Sequence, residues 1–293
     1  MPWPDAIERE NMENSYRLLI ACPDTVGIVA AVSRFIADHK GWLLEASYHA
    51  DEENGWFFMR NEIKAQSLDI SKEAFCLQFQ AIAGQYQMQW SLSESCHRKK
   101  VVIMASRASH CLADLLHRWR SGDLYCDIPA VIANHADLQD MVEWHGIRFH
   151  HVPMQDKAAG NRQIAQLLEQ YQAETVVLAR YMQIIPSQLC AHYQGRMINI
   201  HHSFLPSFIG ANPYQKAYER GVKLVGATCH YVTESLDEGP IIEQDVIRVN
   251  HRHSKQDMVR LGKDVEISVL ARGLRAHLED RVIVHDNKTV ILD

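Results

Sequence analysis

Three polar side chains stand where strands run out into loops. Asn199 and His201 lie in Asn199-Ile200-His201-His202-Ser203-Phe204-Leu205-Pro206, and Asp237 lies in Val232-Thr233-Glu234-Ser235-Leu236-Asp237-Glu238-Gly239-Pro240. The apolar run ending in Met197-Ile198 reads as a buried strand that delivers an amide and an imidazole to its carboxyl end. A second apolar run, Leu224 to Tyr231, leads into the turn-rich loop that carries the carboxylate. An amide, an imidazole and a carboxylate meeting at a sheet edge could polarise a carbonyl, hold the resulting oxyanion and move protons. Single residues of this stretch also have a plain structural reading: Asn199 as a strand-end cap, His202 and His230 as packed core histidines. Three such groups on two consecutive strand-to-loop junctions favour chemistry.

The elements that would position them fall into two domains, as a chain of 293 residues suggests. Residues 1–14 are polar and read as an arm. From 15 to 92 the pattern is strand (Tyr16 to Ala21), helix (Ile28 to His39), two extended runs (Trp42 to Ala50, Trp56 to Ile63), helix (Ile70 to Ile82) and a short strand (Gln87 to Leu92). Glu52-Glu53-Asn54-Gly55 carries the Asn-Gly pair that favours hairpin turns. This βαββαβ order predicts a ferredoxin-like domain. Residues 93–99 form a linker. From 100 to 293 strands and helices alternate, with apolar strands at Val101 to Met104, Ile128 to Ala133 and Thr175 to Leu178. That texture predicts an α/β domain built on a doubly wound, mostly parallel sheet, with ligands at the carboxyl ends of its strands. A strand from Ile241 to Val249, a long helix from Ser254 to Leu278 and a hairpin (Val282 to Val284, Thr289 to Leu292) end this domain.

Composition narrows the function classes. Hydrophobic residues make up 47% and charged residues 23%, the balance of an ordinary globular protein. A net charge of −6 gives no electrostatic reason to expect nucleic acid or an anionic membrane as partner. Seven cysteines, odd in number and never in a Cys-x-x-Cys pair, suit a reducing compartment. With no signal-peptide pattern and no apolar run approaching ~20 residues, the expectation is a cytoplasmic protein. His201-His202 and His251-Arg252-His253 are tight clusters among 17 histidines, and neither has Cys or carboxylate ligands at zinc spacing, so no metal is expected.

The Asn199 to Asp237 segment resembles the signature of enzymes that use N10-formyltetrahydrofolate as formyl donor. Its longer form, with His202 and Ser207-Phe208-Ile209-Gly210-Ala211-Asn212-Pro213-Tyr214, resembles the formyltetrahydrofolate deformylases, a family that releases formate and tetrahydrofolate. The resemblance extends from Tyr16 to Leu292. It implies a formyltransferase-like second domain, with Asn199 and His201 as oxyanion donors and Asp237 as the group that activates water. It implies formate supply for purine synthesis and balance of the one-carbon pool, with the folate as substrate and no cofactor. In the matching pattern, Leu178-Ala179-Arg180-Tyr181-Met182-Gln183-Ile184-Ile185-Pro186 lines the pterin pocket, which places Arg180, Met182, Ile184 and Ile185 against the substrate. Gly210 shapes the substrate loop, His202 stands where many formyltransferases carry proline, and His230 is placed to orient the trio. Ala136, where proline is expected, is a small departure in a loop.

The opening Cys22-Pro23-Asp24-Thr25-Val26-Gly27-Ile28 resembles an ACT domain, a module that senses small amino acids. That implies an effector such as glycine or methionine near Asp24, Val26, Gly27 and Ile28, where a helix amide end could take a carboxylate. It also implies a homo-oligomer. The acceptor separates the alternatives. A glycinamide ribonucleotide formyltransferase needs a glycine-rich phosphate loop after its first strand, and here that place reads Ala105-Ser106-Arg107-Ala108-Ser109-His110. Ser106, Arg107 and His110 are instead expected to close that corner of the cleft and leave water as acceptor. A methionyl-tRNA formyltransferase needs a basic extension after the catalytic domain. A further alternative is a folate and amino-acid sensor without turnover.

Overall fold

The computed structural model describes residues 14–207 and 213–293, so most of the expected N-terminal arm and Gly210 lie outside the described residues. The chain divides into two compact units. One comprises the stretch up to His97 with Glu279–His285 and Val290–Asp293, and the other Arg98–Leu278 with Asp286–Thr289.

In the first unit the order is β1 (Ser15–Pro23), α1 (Ile28–Asp38), β2 (Trp42–Asp51), β3 (Trp56–Lys64), α2 (Lys72–Gln85) and β4 (Gln89–Glu94). The antiparallel sheet runs β2-β3-β1-β4, the ferredoxin-like order expected from the βαββαβ pattern. Alternation in β1 explains its two faces: Leu18, Ile20 and Cys22 pack with Val32 and Ile36 of α1 and Phe75 and Phe79 of α2. Ala21, on the other face, clusters with Phe58, Ile283 and Leu292. Ser71 caps α2 by accepting from the Ala74 amide at 3.2 Å. In the β2–β3 turn the Asn54 side chain donates to Asp51 at 2.7 Å, and Gly55 takes a φ of 67°.

The second unit holds β5 (Lys99–Ala105), α3 (His110–Ser121), β6 (Cys126–Asp127), β7 (Ala130–Ala133), α4 (Gln139–Trp144), β8 (Arg148–His151), α5 (Lys157–Gln170), β9 (Thr175–Ala179), α6 (Ser187–His192), β10 (Met197–His201), α7 (Pro213–Arg220), β11 (Leu224–Tyr231), β12 (Ile241–Arg248) and α8 (Lys255–Leu278). The sheet order is β12-β11-β10-β9-β5-β7-β8, with β6 paired to β5. Strands β5 to β10 pair in parallel, and the central strands β5, β7 and β9 are buried on both faces, as in β5 where residues 101–105 are all 0% exposed. β11 and β12 extend the sheet antiparallel. The chain leaves β5 toward β7 and β8, then returns to the opposite side of β5 with β9 and β10. The carboxyl ends of β5 and β9 therefore flank a topological switch point. No helix of the described residues is long and apolar enough to cross a membrane.

The tail departs from the contiguous 100–293 partition. After α8, residues 279–285 and 290–293 group with the first unit, within which Ile283 and Leu292 join its apolar cluster and Arg60 donates to the carbonyls of Glu279 and Asp280. The hairpin β13 (Val282–His285) and β14 (Lys288–Ile291) is present as expected.

Candidate active site

β10 delivers Asn199 and His201 to the same side of the sheet, because alternate residues of a strand share a face. The register with β11 sets Asn199 opposite His230 and His201 opposite Thr228. The His230 Nδ1–H donates to the Tyr231 carbonyl at 2.9 Å. Its Nε2 therefore accepts, and the Asn199 amide Nδ2 donates to it at 3.1 Å. Burial lowers the His230 pKa, in keeping with that neutral tautomer. His230 thus fixes which way the Asn199 amide faces.

The turn after His201 is fastened by buried Thr228. Its hydroxyl accepts from the Leu205 amide at 3.0 Å, donates to the Ser203 carbonyl at 2.9 Å and accepts from Gln244 Nε2 at 2.9 Å. Gln244 also donates to the Leu205 carbonyl at 3.0 Å. The backbone between β11 and β12 returns Asp237 to the strand end. There Gly239 passes so close to β11 that an added Cβ would fall 1.8 Å from the Tyr231 carbonyl oxygen. Asp237 itself sits in the left-handed region at φ 58°, which Asp tolerates better than most side chains.

The three groups meet. His201 Nδ1 lies 3.2 Å from Asp237 Oδ1, and His230 Nε2 lies 3.9 Å from the same oxygen. Burial pushes the Asp237 pKa up, but the hydrogen bond and charge of His201 bring it below the ordinary value. The pair is largely shielded from water, with side-chain exposures of 6% and 9%. His201 Nε2 is buried with no hydrogen-bond partner among the described residues, so it is the ring nitrogen left to act on a reactant.

The remaining sequence-derived residues divide. His202 stacks beside the trio, its ring 5.3 Å from that of His201 and 5.9 Å from that of Tyr214. Burial and the neighbouring Arg180 charge push its pKa down to about 3, so it is uncharged near neutrality. Arg180 follows β9 in a left-handed conformation at φ 62°. Met182 and Ile184 are exposed, an unusual outlay of apolar surface, whereas Ile185 packs on the core beneath. In the first unit, Val26 is almost wholly exposed and Gly27 precedes α1 at φ 100° without a side-chain cap. The Asp24 amide donates to the Gly55 carbonyl at 2.8 Å, and Ile28 is buried in the core.

The corner after β5 closes differently from expectation. Arg107 is exposed and lies 3.9 Å from Asp137. Ser106 does turn inward, donating to Asn134 Oδ1 at 2.7 Å and accepting from the Met182 amide at 3.0 Å. His110 reaches Glu266 of α8 at 2.7 Å. Glu266, 1% exposed, also accepts from the Tyr214 hydroxyl at 2.7 Å and lies 3.4 Å from Arg180 Nε. Burial opposes its charge, yet His110, Arg180 and Tyr214 hold its pKa below the ordinary value. Gly262, one turn earlier, leaves room for the Tyr214 ring, since a Cβ there would fall 2.0 Å from the hydroxyl. Sequence reasoning did not single out Glu266 or assign Tyr214 a part. The available signal was a glutamate on the buried stripe Met258, Gly262, Val265, Val269, where a charge has to find partners.

The open α/β sheet and the Asn199, His201 and Asp237 at its β10–β11 strand ends lie within residues 99–274, which match the Formyl transferase family model. Among solved structures, glycinamide ribonucleotide transformylase 1 from Symbiobacterium toebii superposes with a TM-score of 0.64 at 28% identity, covering 67% of this chain and 95% of that one. Full-length similarity is narrower. The formyltetrahydrofolate deformylase of Bacillus subtilis (strain 168) is 46% identical, covering 97% of this chain and 96% of the relative. The crystal structure of a formyltetrahydrofolate deformylase from Pseudomonas syringae pv. tomato str. DC3000 matches with a TM-score of 0.94 and 59% identity, covering 99% and 98% of the two chains. The chain belongs to the formyltetrahydrofolate deformylase family.

Proposed function

We propose that the chain hydrolyses 10-formyltetrahydrofolate to formate and tetrahydrofolate, supplying formate for purine synthesis and balancing the one-carbon pool. The observation that carries this reading is the buried His201–Asp237 pair at 3.2 Å, with His201 Nε2 left without a partner among the described residues. Asp237, ionised at neutral pH, positions a water and takes its proton as the oxygen attacks the formyl carbon. The Asn199 Nδ2–H not engaged by His230 and the Nε2–H of protonated His201 hold the developing oxyanion. As the intermediate collapses, the C–N10 bond breaks and His201 gives its Nε2 proton to N10 while keeping the Nδ1–H that faces Asp237; once the products leave, Asp237 sheds to solvent the proton it took from water and His201 Nε2 takes one up. Arg180 and the exposed apolar chains of Met182 and Ile184 suit the faces and edge of a pterin, with His202 backing His201.

No metal or other cofactor takes part in this scheme. His110, Cys111 and Glu266 have ligand atoms within 4.8 Å of one another, but both Glu266 oxygens are already hydrogen-bonded and burial holds the Cys111 thiol protonated. The test is to incubate the purified protein with 10-formyltetrahydrofolate, with and without glycinamide ribonucleotide. Formate released at the same rate in both is expected. Formylated ribonucleotide in place of formate would assign the chain to the transferases, and folate binding without either product would make it a sensor.

For the first unit we propose an ACT-type module in a cytoplasmic homo-oligomer. The ferredoxin-like order and Gly27 at the start of α1 support a small amino-acid effector, such as glycine or methionine, held by its carboxylate at Asp24 to Ile28. Titrating each amino acid into the formate assay should shift the rate in the native chain and fail to do so in Gly27→Val. An identical response in the variant would remove the effector from this loop.

A further inference from the structure

Open doubly wound sheets receive ligands in the crevice at their switch point, here between the carboxyl ends of β5 and β9. In this chain that crevice is laced shut. The Met182 amide after β9 donates to Ser106 after β5 at 3.0 Å. Above it, His110 at the start of α3 and Arg180 after β9 converge on Glu266, at 2.7 and 3.4 Å. Tyr214 completes the knot at 2.7 Å from the other Glu266 oxygen and stands beside His202, which in turn stands beside His201. The knot is held from within: Glu266 is 1% exposed, and Gly262 accommodates the tyrosine.

We infer that Glu266, with His110 and Tyr214, determines the acceptor: the knot occupies the room beside the trio through which an amine would approach the formyl carbon, and so leaves water as the nucleophile. This rests on the hydrolase reading and adds to it how transfer is suppressed. If the knot is opened, a primary amine attacks the formyl carbon and forms a new C–N bond. The C–N10 bond breaks, the amine gives up one proton, and N10 takes one. The balance is amine plus 10-formyltetrahydrofolate to formamide plus tetrahydrofolate, with no other reactant. None of the three residues is required to touch the reacting atoms, so their removal alters the choice of product more than the bond-breaking step.

Glycinamide is the probe. His110→Ala removes one arm of the knot and leaves Glu266 paired with Arg180 and Tyr214. Tyr214→Ala opens it instead toward the neighbouring cavity of about 480 Å³ that the tyrosine helps to line. Each variant and the native chain are incubated with 10-formyltetrahydrofolate and saturating glycinamide, and N-formylglycinamide and formate are quantified together. The expected result is formate with N-formylglycinamide at the enzyme-free background from the native chain, and an N-formylglycinamide-to-formate ratio at least tenfold above that background ratio in one or both variants. Formate release with an unchanged ratio in both variants overturns the inference while leaving the hydrolase reading intact. A native chain that releases no formate overturns both. A structural role alone would lower both products together and would not move their ratio.

Discussion

Gly239→Ala perturbs the site without touching any group that reacts. A Cβ at this position falls 1.8 Å from the Tyr231 carbonyl oxygen and 3.2 Å from Thr233 Cγ2. Non-bonded carbon and oxygen come no nearer than about 3.0 Å, so something yields by roughly 1.2 Å. Tyr231 is the stiffer side: its amide donates to the Pro240 carbonyl at 2.9 Å, its strand pairs on both edges, and its hydroxyl bonds His277 at 2.9 Å. The loop therefore moves and carries Asp237 away from a partner now 3.2 Å distant. A 1 Å misplacement of a catalytic group costs about 10²-fold in rate, or about 2.7 kcal/mol of activation free energy. Overpacking adds a stability cost of about 1–3 kcal/mol. Single-turnover formate release should fall by roughly that factor with tetrahydrofolate affinity retained, and guanidinium unfolding should report the lost stability. Gly84→Ala is the control, because nothing lies within 4 Å of its Cβ and α2 gains helix propensity, so its rate should match the native chain. A Gly239→Ala rate within threefold of native would refute the claim that this close approach seats the carboxylate.

Asn199→Ala removes one oxyanion donor and should lower kcat by about 10²–10³-fold with little change in KM; a loss confined to KM would make the amide a binding group. Thr228→Val strips three hydrogen bonds from a fully buried hydroxyl and leaves the Leu205 amide and Ser203 carbonyl short of a partner, so unfolding by guanidinium should show about 2–4 kcal/mol of lost stability. Asp237 acts as the carboxylate and its pKa lies below the ordinary 3.8, so activity that depends on its charge is lost only as pH falls through that lowered value. No acid limb assignable to Asp237 is expected in kcat between pH 5 and 8. His202, pushed down to about 3, is neutral over the same range, and His202→Gln should leave the profile above pH 5 unchanged. A limb near pH 6.5 that disappears in that variant would contradict the assignment.

Much of the fold could be read from periodicity. The apolar strands, the amphipathic α1 and the Asn54-Gly55 turn each show a local pattern that the structure repeats. The trio was readable for a related reason: Asn199 and His201 share one strand, and Asp237 ends the loop after its neighbour. All three therefore lie within one short stretch whose spacing reflects a strand pair. Glu266 has no such locality. It meets His110, Arg180 and Tyr214 only because α8 packs by α3 and α7 over the strand ends, and helix packing leaves no short motif. Arg107 shows the converse error, since position in a loop does not fix direction: it turns outward toward Asp137 while Ser106 turns inward. The antiparallel entry of β11 and β12 and the grouping of the tail with the first unit were likewise hidden. Apolar runs reveal burial, but neither the direction of the neighbouring strand nor the cluster that a late segment such as Ile283 will join.

The measurement closest to the centre of this account is formate release by Asp237→Asn alongside its affinity for tetrahydrofolate. The substitution keeps the size and the hydrogen-bonding reach of the side chain but removes the charge that pairs with His201 and accepts the water proton. A fall in kcat of about 10³-fold or more at unchanged affinity is expected. Formate released at the native rate would mean that the carboxylate neither activates water nor sustains His201 as a donor.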